Sequence, residues 1–159
     1  MTWTLRPGEE ADTPFFQRVY ASTREEELRP TGWPREVKEA FLRSQFEAQW
    51  RHYRQHYHGA EFLVILVGGV PAGRLFVHRG AADIRVIDVA LLPEFRGGGV
   101  GSAVLAMLME QAAGSGKKVS LHVEKHNPAR RLYARLGFVP TGAEHGIYDL
   151  VEWRQLKEI

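Results

Sequence analysis

No cysteine occurs among the 159 residues. Disulfides and thiolate nucleophiles are therefore excluded, and a reducing compartment fits the composition. Long apolar runs are also missing. No stretch approaches the ~18 residues of a membrane span, so no membrane role is expected. The first residues, MTWTLRPGEE, carry no apolar core of a signal peptide, and the expectation is a soluble, cytoplasmic protein. An excess of one charge is lacking too. Lys plus Arg number 21 against 19 for Asp plus Glu, a net charge of +2. With no dense basic run, nucleic acid is not an expected partner. A metal site is also not expected. His52 and His56 have a ligand-like i,i+4 spacing, but they lack the glutamate of H-E-x-x-H and a third ligand. There is no repeat, linker or low-complexity segment.

What is present describes one ordinary globular domain over residues 1–159. Hydrophobic residues make up 44% and charged residues 25%, and a chain of this length buries roughly 68–70% of its unfolded surface. Glycine is concentrated in one place. Residues 87–107 read IDVALLPEFRGGGVGSAVLAM: an apolar run, a glycine cluster, then apolar residues at helical spacing, Val104, Leu105 and Leu108. The pattern predicts strand, loop, helix. Glycines let backbone approach a ligand closely, and the unpaired amides and dipole of the following helix favour an anion, typically phosphate. Arg96 adds a positive charge beside them.

Two familiar phosphate loops fit poorly. The P-loop needs Gly-Lys-Ser/Thr, and no lysine stands here. For the dinucleotide fingerprint, Gly97 and Gly99 supply two glycines, Ser102 replaces the third, and Glu124 stands near the spacing of the ribose-binding acid. The pattern that fits is Arg-x-x-Gly-x-Gly, in Arg96, Gly97, Gly98, Gly99, Val100 and Gly101.

Elsewhere, a strand is expected over residues 2–6 and a helix from Asp12-Thr13-Pro14 to about Thr23, with Asp12 as cap. The pattern breaks over residues 24–32, which places Glu25, Glu26 and Glu27 between helices. A longer helix follows from Gly32-Trp33-Pro34 to about His58, packed on one face and partly on a second. Strands are expected over residues 62–67 and 70–78 around Gly68-Gly69, and over 83–91. On the last of these, strict alternation puts Ile84, Val86 and Asp88 on one side and Arg85, Ile87 and Val89 on the other. A helix to about Ala113 precedes a strand over residues 119–123. A final strand pair, 138–141 and 147–153, closes the chain.

The second informative run is residues 127–138, NPARRLYARLGF. Asn127 can cap a helix with Pro128 at its first position, and the helix ends at Gly137. Ala129, Leu132, Tyr133 and Leu136 share a face. Tyr133 is either a packing aromatic or a working hydroxyl.

The glycine loop, preceded by Leu91-Leu92-Pro93, together with the run from Asn127 to Phe138 and the order β-α-α-β-β-β-α-β-α-β-β, resembles the GNAT family of N-acetyltransferases. The resemblance covers nearly the whole chain and is generic over the first 60 residues. It implies an α/β fold, a mixed sheet of about seven strands flanked by about four helices. It also implies acetyl-CoA as co-substrate, an amine acceptor and, as in many look-alikes, a homodimer. The diphosphate would rest on Arg96, Gly97, Gly98, Gly99, Val100, Gly101 and Ser102, with Asn127 on the CoA arm. Arg130 either reaches the 3′-phosphate or solvates its helix. Val89 and Leu91 would offer main-chain amides to the thioester carbonyl if a bulge frees them. Tyr133 would protonate the leaving thiolate.

The base is open between Asp88, Glu124 at the end of the next strand, and a water chain. The competing classes are a non-catalytic acyl-CoA-binding module and a nucleotide-binding domain.

Overall fold

The computed structural model describes residues 2–156; residue 1 and residues 157–159 of the expected domain lie outside the described residues. Its core is a seven-stranded sheet in the order β1-β2-β3-β4-β5-β7-β6. The strands are β1 (Trp3–Pro7), β2 (Glu61–Val67), β3 (Val70–Arg79), β4 (Asp83–Leu91), β5 (Lys118–Glu124), β6 (Val139–His145) and β7 (Tyr148–Trp153). Every neighbouring pair is antiparallel except β4 and β5. The helices are α1 (Thr13–Leu28), α2 (Arg35–His56), α3 (Val100–Gly114) and α4 (Arg130–Leu136). This is the mixed architecture expected from the order of elements.

The sheet is covered on both faces. On one, Val104, Leu105, Leu108 and Ala112 of α3 pack on Leu75, Val77, Val86 and Leu121, with Tyr133 and Trp153 at the margin. On the other, Phe16 and Tyr20 of α1 and Phe46 of α2 close over Val64 and Phe76. This second layer is aromatic. Phe16 meets Phe76 edge-on at 5.1 Å and Trp50 meets Phe62 at 4.8 Å, spacings at which ring quadrupoles add to area burial. A buried aromatic of this kind contributes roughly 1.5–3 kcal/mol through burial.

Four expectations need correction. Helix α1 does not stop near Thr23 but runs to Leu28, which is buried. Glu25, Glu26 and Glu27 therefore lie in its last turns, and the stop comes from Pro30 and Gly32, the latter at φ 64°. Glutamate and leucine are good helix formers, and only proline and glycine oppose them there. Asp12 does not cap α1. It takes the amide of Glu9 and the fork of Arg6 instead. Helix α2 packs along one face only: Phe46 is its single buried residue, while Val37 is 47% exposed. Finally, residues 128–129 form a turn before α4, which starts at Arg130.

The most consequential departure is in β4. Its pairing with β3 shifts register between Phe76↔Asp88 and Val77↔Val86, so Ile87 is an extra, bulged residue. A bulge breaks the two-residue period. Val86, Val89 and Leu91 all pack on the α3 side, whereas Ile87 packs on the aromatic layer. Asp88 bonds to Arg74, whose guanidinium reaches the Phe16 carbonyl in α1. Asp88 thus faces α1 and α2, opposite to Val86 rather than beside it.

Candidate active site

The parallel pair β4–β5 is closed at one end and open at the other. Its register runs from Asp83↔Lys118 to Val86↔Leu121 and stops there, although β4 continues to Leu91 and β5 to Glu124. The closed half is clipped by side chains. Buried Ser120 donates its hydroxyl to Asp83, at 2.7 Å to Oδ2, and accepts from Arg85 Nε at 2.7 Å. Past the Ile87 bulge the strands part. The β5-facing main-chain groups of residues 87–91 have no ladder partner, as at a sheet edge. Val89 and Leu91 line this gap on the α3 side of the sheet.

The glycine loop stands next to that opening. A short 3-10 turn (Pro93–Phe95) leads into it, and Gly97 and Gly99 adopt φ of 78° and 84°. That left-handed backbone is open to glycine and strained for other residues. It turns the chain so that α3 starts at Val100. Among the described residues, no protein group accepts from the amides of Gly97, Gly98, Gly99, Val100, Gly101 or Ser102; the first bond of the helix is Ala103 to Gly99. A Cβ built on Gly97, Gly98, Gly99 or Gly101 would meet nothing within 4 Å. Consecutive free amides at the positive end of a helix form an anion cradle. Arg96 behaves differently from its neighbours. Its own amide bonds to Pro93, and its Nε donates to Leu91 O at 3.0 Å, so the side chain braces the end of β4 with its fork exposed beside the loop.

Tyr133 stands on α4 and lines a shallow pocket with Val123 of β5 and Val151 of β7. It is partly buried against the α3-side core and meets Phe138 edge-on at 6.0 Å. The chain locks it there: Phe138 donates its amide to the Tyr133 carbonyl, and Gly137, at φ 102°, turns the helix end. Burial pushes the Tyr133 hydroxyl up to about 12, with a further contribution from the Asp88 carboxylate. The hydroxyl thus keeps its proton at neutral pH.

Asp88 holds Arg74 Nε with Oδ2 at 2.6 Å, and its side chain remains 27% exposed. Among the described residues, no hydrogen bond engages Oδ1. Glu124 ends β5 opposite Tyr148 of β7. Burial raises the Tyr148 hydroxyl, and the Glu124 carboxylate raises it further.

Asn127 is committed locally: its Oδ1 accepts the Ala129 amide at 2.9 Å. Arg130 donates from Nη1 to Asp149 of β7 at 2.9 Å, which ties α4 to the sheet. Glu144 pairs with Lys125 at 3.1 Å. The rings of His52 and His56 lie 4.1 Å apart, exposed on α2.

Sequence reasoning missed Arg74. It is the largest of the fully buried side chains, at 1% exposure. A lone arginine within the apolar strand residues 70–78 was the only available signal.

A mixed sheet with one parting parallel pair and an anion cradle at the head of a helix beside the parting has the features of an acyltransferase domain. Residues 19–138 match the model of the Acetyltransferase (GNAT) family, and the chain belongs to that family.

Among solved structures, the PaiA N-acetyltransferase of Thermoplasma acidophilum in complex with coenzyme A is similar at 16% identity, TM-score 0.73, over 98% of this chain and 100% of that one. An acetyltransferase from Thermus thermophilus is similar at 19% identity, TM-score 0.68, over 96% and 97%. Ard1 from Thermoplasma volcanium is similar at 21% identity, TM-score 0.60, over 99% and 100%. Comparison with curated protein sequences gives no match.

Proposed function

We propose that the protein transfers the acetyl group of acetyl-CoA to an amine of a small molecule or peptide, by direct attack in a ternary complex. The observation that carries this reading is the run of uncommitted amides from Gly97 to Ser102 beside the parted strands. The diphosphate of CoA rests on those amides, and the arm extends along the gap toward Tyr133. The coenzyme A bound in the Thermoplasma acidophilum structure supports the same choice of ligand.

In the reaction the amine nitrogen attacks the thioester carbonyl carbon. The C–N bond forms, the C–S bond breaks, and coenzyme A leaves as a thiol. Asp88 takes the amine proton, directly or through one water, with the carboxylate oxygen not held by Arg74. Free main-chain amides among residues 89–91 stabilise the oxyanion. Tyr133 gives its proton to the departing sulfur. Glu124 and Tyr148 form part of the acceptor wall. Arg130 gives Nη1 to Asp149 and braces α4, and its other guanidinium donors remain for the 3′-phosphate. Aligning both substrates in one cleft contributes much of the rate.

The test is incubation with acetyl-CoA and a panel of amines, following free thiol. Thiol release that depends on an amine supports transfer. Saturable CoA binding without thiol release from any amine would instead make the protein an acyl-CoA-binding module.

A further inference from the structure

Arg74 has an environment that stability alone explains poorly. Its side chain is 2% exposed. Its guanidinium donates to three elements at once: Nε to Asp88 Oδ2 on β4 at 2.6 Å, Nη1 to the Phe16 carbonyl of α1 at 3.3 Å, and Nη2 to Gln49 Oε1 of α2 at 3.1 Å. The rings of Phe76 and Tyr20 flank it, with centroids 4.7 and 5.7 Å from Cζ. Desolvating a cation is costly, and a buried ion pair often stabilises no more than an apolar replacement would. A planar fork with each of its three nitrogens engaged does something an apolar residue cannot. It fixes the direction of the carboxylate bound to it.

That direction needs fixing. Asp88 immediately follows the bulged Ile87, where the regular alternation of the strand no longer dictates where the side chain points. We infer that Arg74 is a positioning residue. It ties one oxygen of Asp88, through its fork, to α1 and α2 and leaves the other presented to the amine at the open end of β4. The inference deepens the proposed function and rests on Asp88 as its base. Misplacement of a reacting group by about 1 Å is enough to cost on the order of 10²-fold in rate.

The test compares Arg74→Lys, Asp88→Asn and the double variant in the full chain. Lysine keeps the charge but is a single flexible point, without the fork. Crystal structures are expected to show the Asp88 carboxylate turned or split between orientations in Arg74→Lys. Turnover is read as thiol release with butylamine, 1,4-diaminobutane and a lysine-containing peptide. It is expected to fall about 10–100-fold in Arg74→Lys with KM for acetyl-CoA within about twofold. In the Asp88→Asn background the same change is expected to cost less than about twofold, because Arg74 acts through Asp88.

An unmoved Asp88 carboxylate, or equal losses in both backgrounds, would overturn the inference. Full turnover by Asp88→Asn would instead remove the base assignment on which it rests. The carboxylate orientation would still decide the Arg74 question, as it does if none of the three amines reacts. Should Arg74→Lys fail to fold, the near-isosteric Gln49→Met releases one end of the fork. A smaller loss, about 2–5-fold, is then expected, and an unchanged rate with an unmoved Asp88 would count against the inference.

Discussion

Val86 and Asp88, two residues apart on β4, lie on opposite faces of the sheet. Val86 is sealed under α3, and Asp88 bonds to Arg74 beneath α1 and α2. The extra residue Ile87 separates them. In a regular strand, residues two apart share a face, and Asp88 would enter the apolar layer beside Val86. With the bulge, a carboxylate stands on the α1–α2 side, while Tyr133 packs on the α3 side.

If Asp88 is the base, Asp88→Asn keeps the shape and the acceptor for Arg74 but cannot take a proton. Turnover is expected to fall about 10²–10⁴-fold, with little change in KM for acetyl-CoA. Steady-state kinetics check this, and an unchanged rate would pass the role to Glu124 or to water.

Tyr133→Phe is expected to lower turnover about 10–10³-fold with CoA affinity nearly unchanged, as losing an acid should. The pH dependence follows from burial. The Tyr133 hydroxyl is pushed up to about 12, so its acid form persists across the neutral and mildly alkaline range. No alkaline fall in kcat from this group is expected below about pH 10. A loss of kcat that titrates near pH 8 in the wild type and vanishes in Tyr133→Phe would contradict the raised hydroxyl, and an unchanged turnover in Tyr133→Phe would remove the residue from the mechanism.

Gly73 sits where β3 pairs closely with the end of β4, opposite Leu91. A Cβ there would overlap the Ala90 carbonyl oxygen and the Leu91 side chain. Gly73→Ala is expected to destabilise the fold by about 1–3 kcal/mol by overpacking. Thermal unfolding measures it directly, and an unchanged Tm would mean that the strands move apart freely.

The fold was largely legible in the sequence because its signals were local. Apolar periodicity, paired glycines and proline-led starts marked every strand and helix. The glycine loop was legible for the same reason, since its left-handed turns at Gly97 and Gly99 and the open amides that follow are main-chain properties of consecutive residues. The bulge at Ile87 was not. Alternation over residues 83–91 has apolar residues on both sides, so a one-residue slip leaves no trace in the pattern. Arg74 was invisible because its partners, Phe16, Gln49 and Asp88, are distant in the chain and meet only in the fold. The commitment of Arg130 to Asp149 was hidden likewise.

Asp12 gives an acid-stability prediction away from the site. The Arg6 fork and the Glu9 amide hold its carboxyl down to about 2, below the roughly 3.9 of an unfolded chain. A depressed folded value adds stability that is present above about pH 4 and lost as pH falls through about 2. Asp12→Asn is therefore expected to lower Tm at pH 7 and to shrink the drop in Tm between pH 4 and pH 2. An identical acid profile in both proteins would show that the pair contributes nothing.

The most direct measurement is calorimetric titration with acetyl-CoA of the wild type and of Gly98→Asp. Gly98 has ordinary backbone and open space around it, so the aspartate leaves the fold intact while its carboxylate opposes the diphosphate at the free amides. Saturable one-to-one binding by the wild type, weakened at least about tenfold in the variant at unchanged Tm, is the result expected. A flat titration of the wild type, or equal affinity in both proteins, would contradict the cradle from Gly97 to Ser102 and the acetyl transfer built on it.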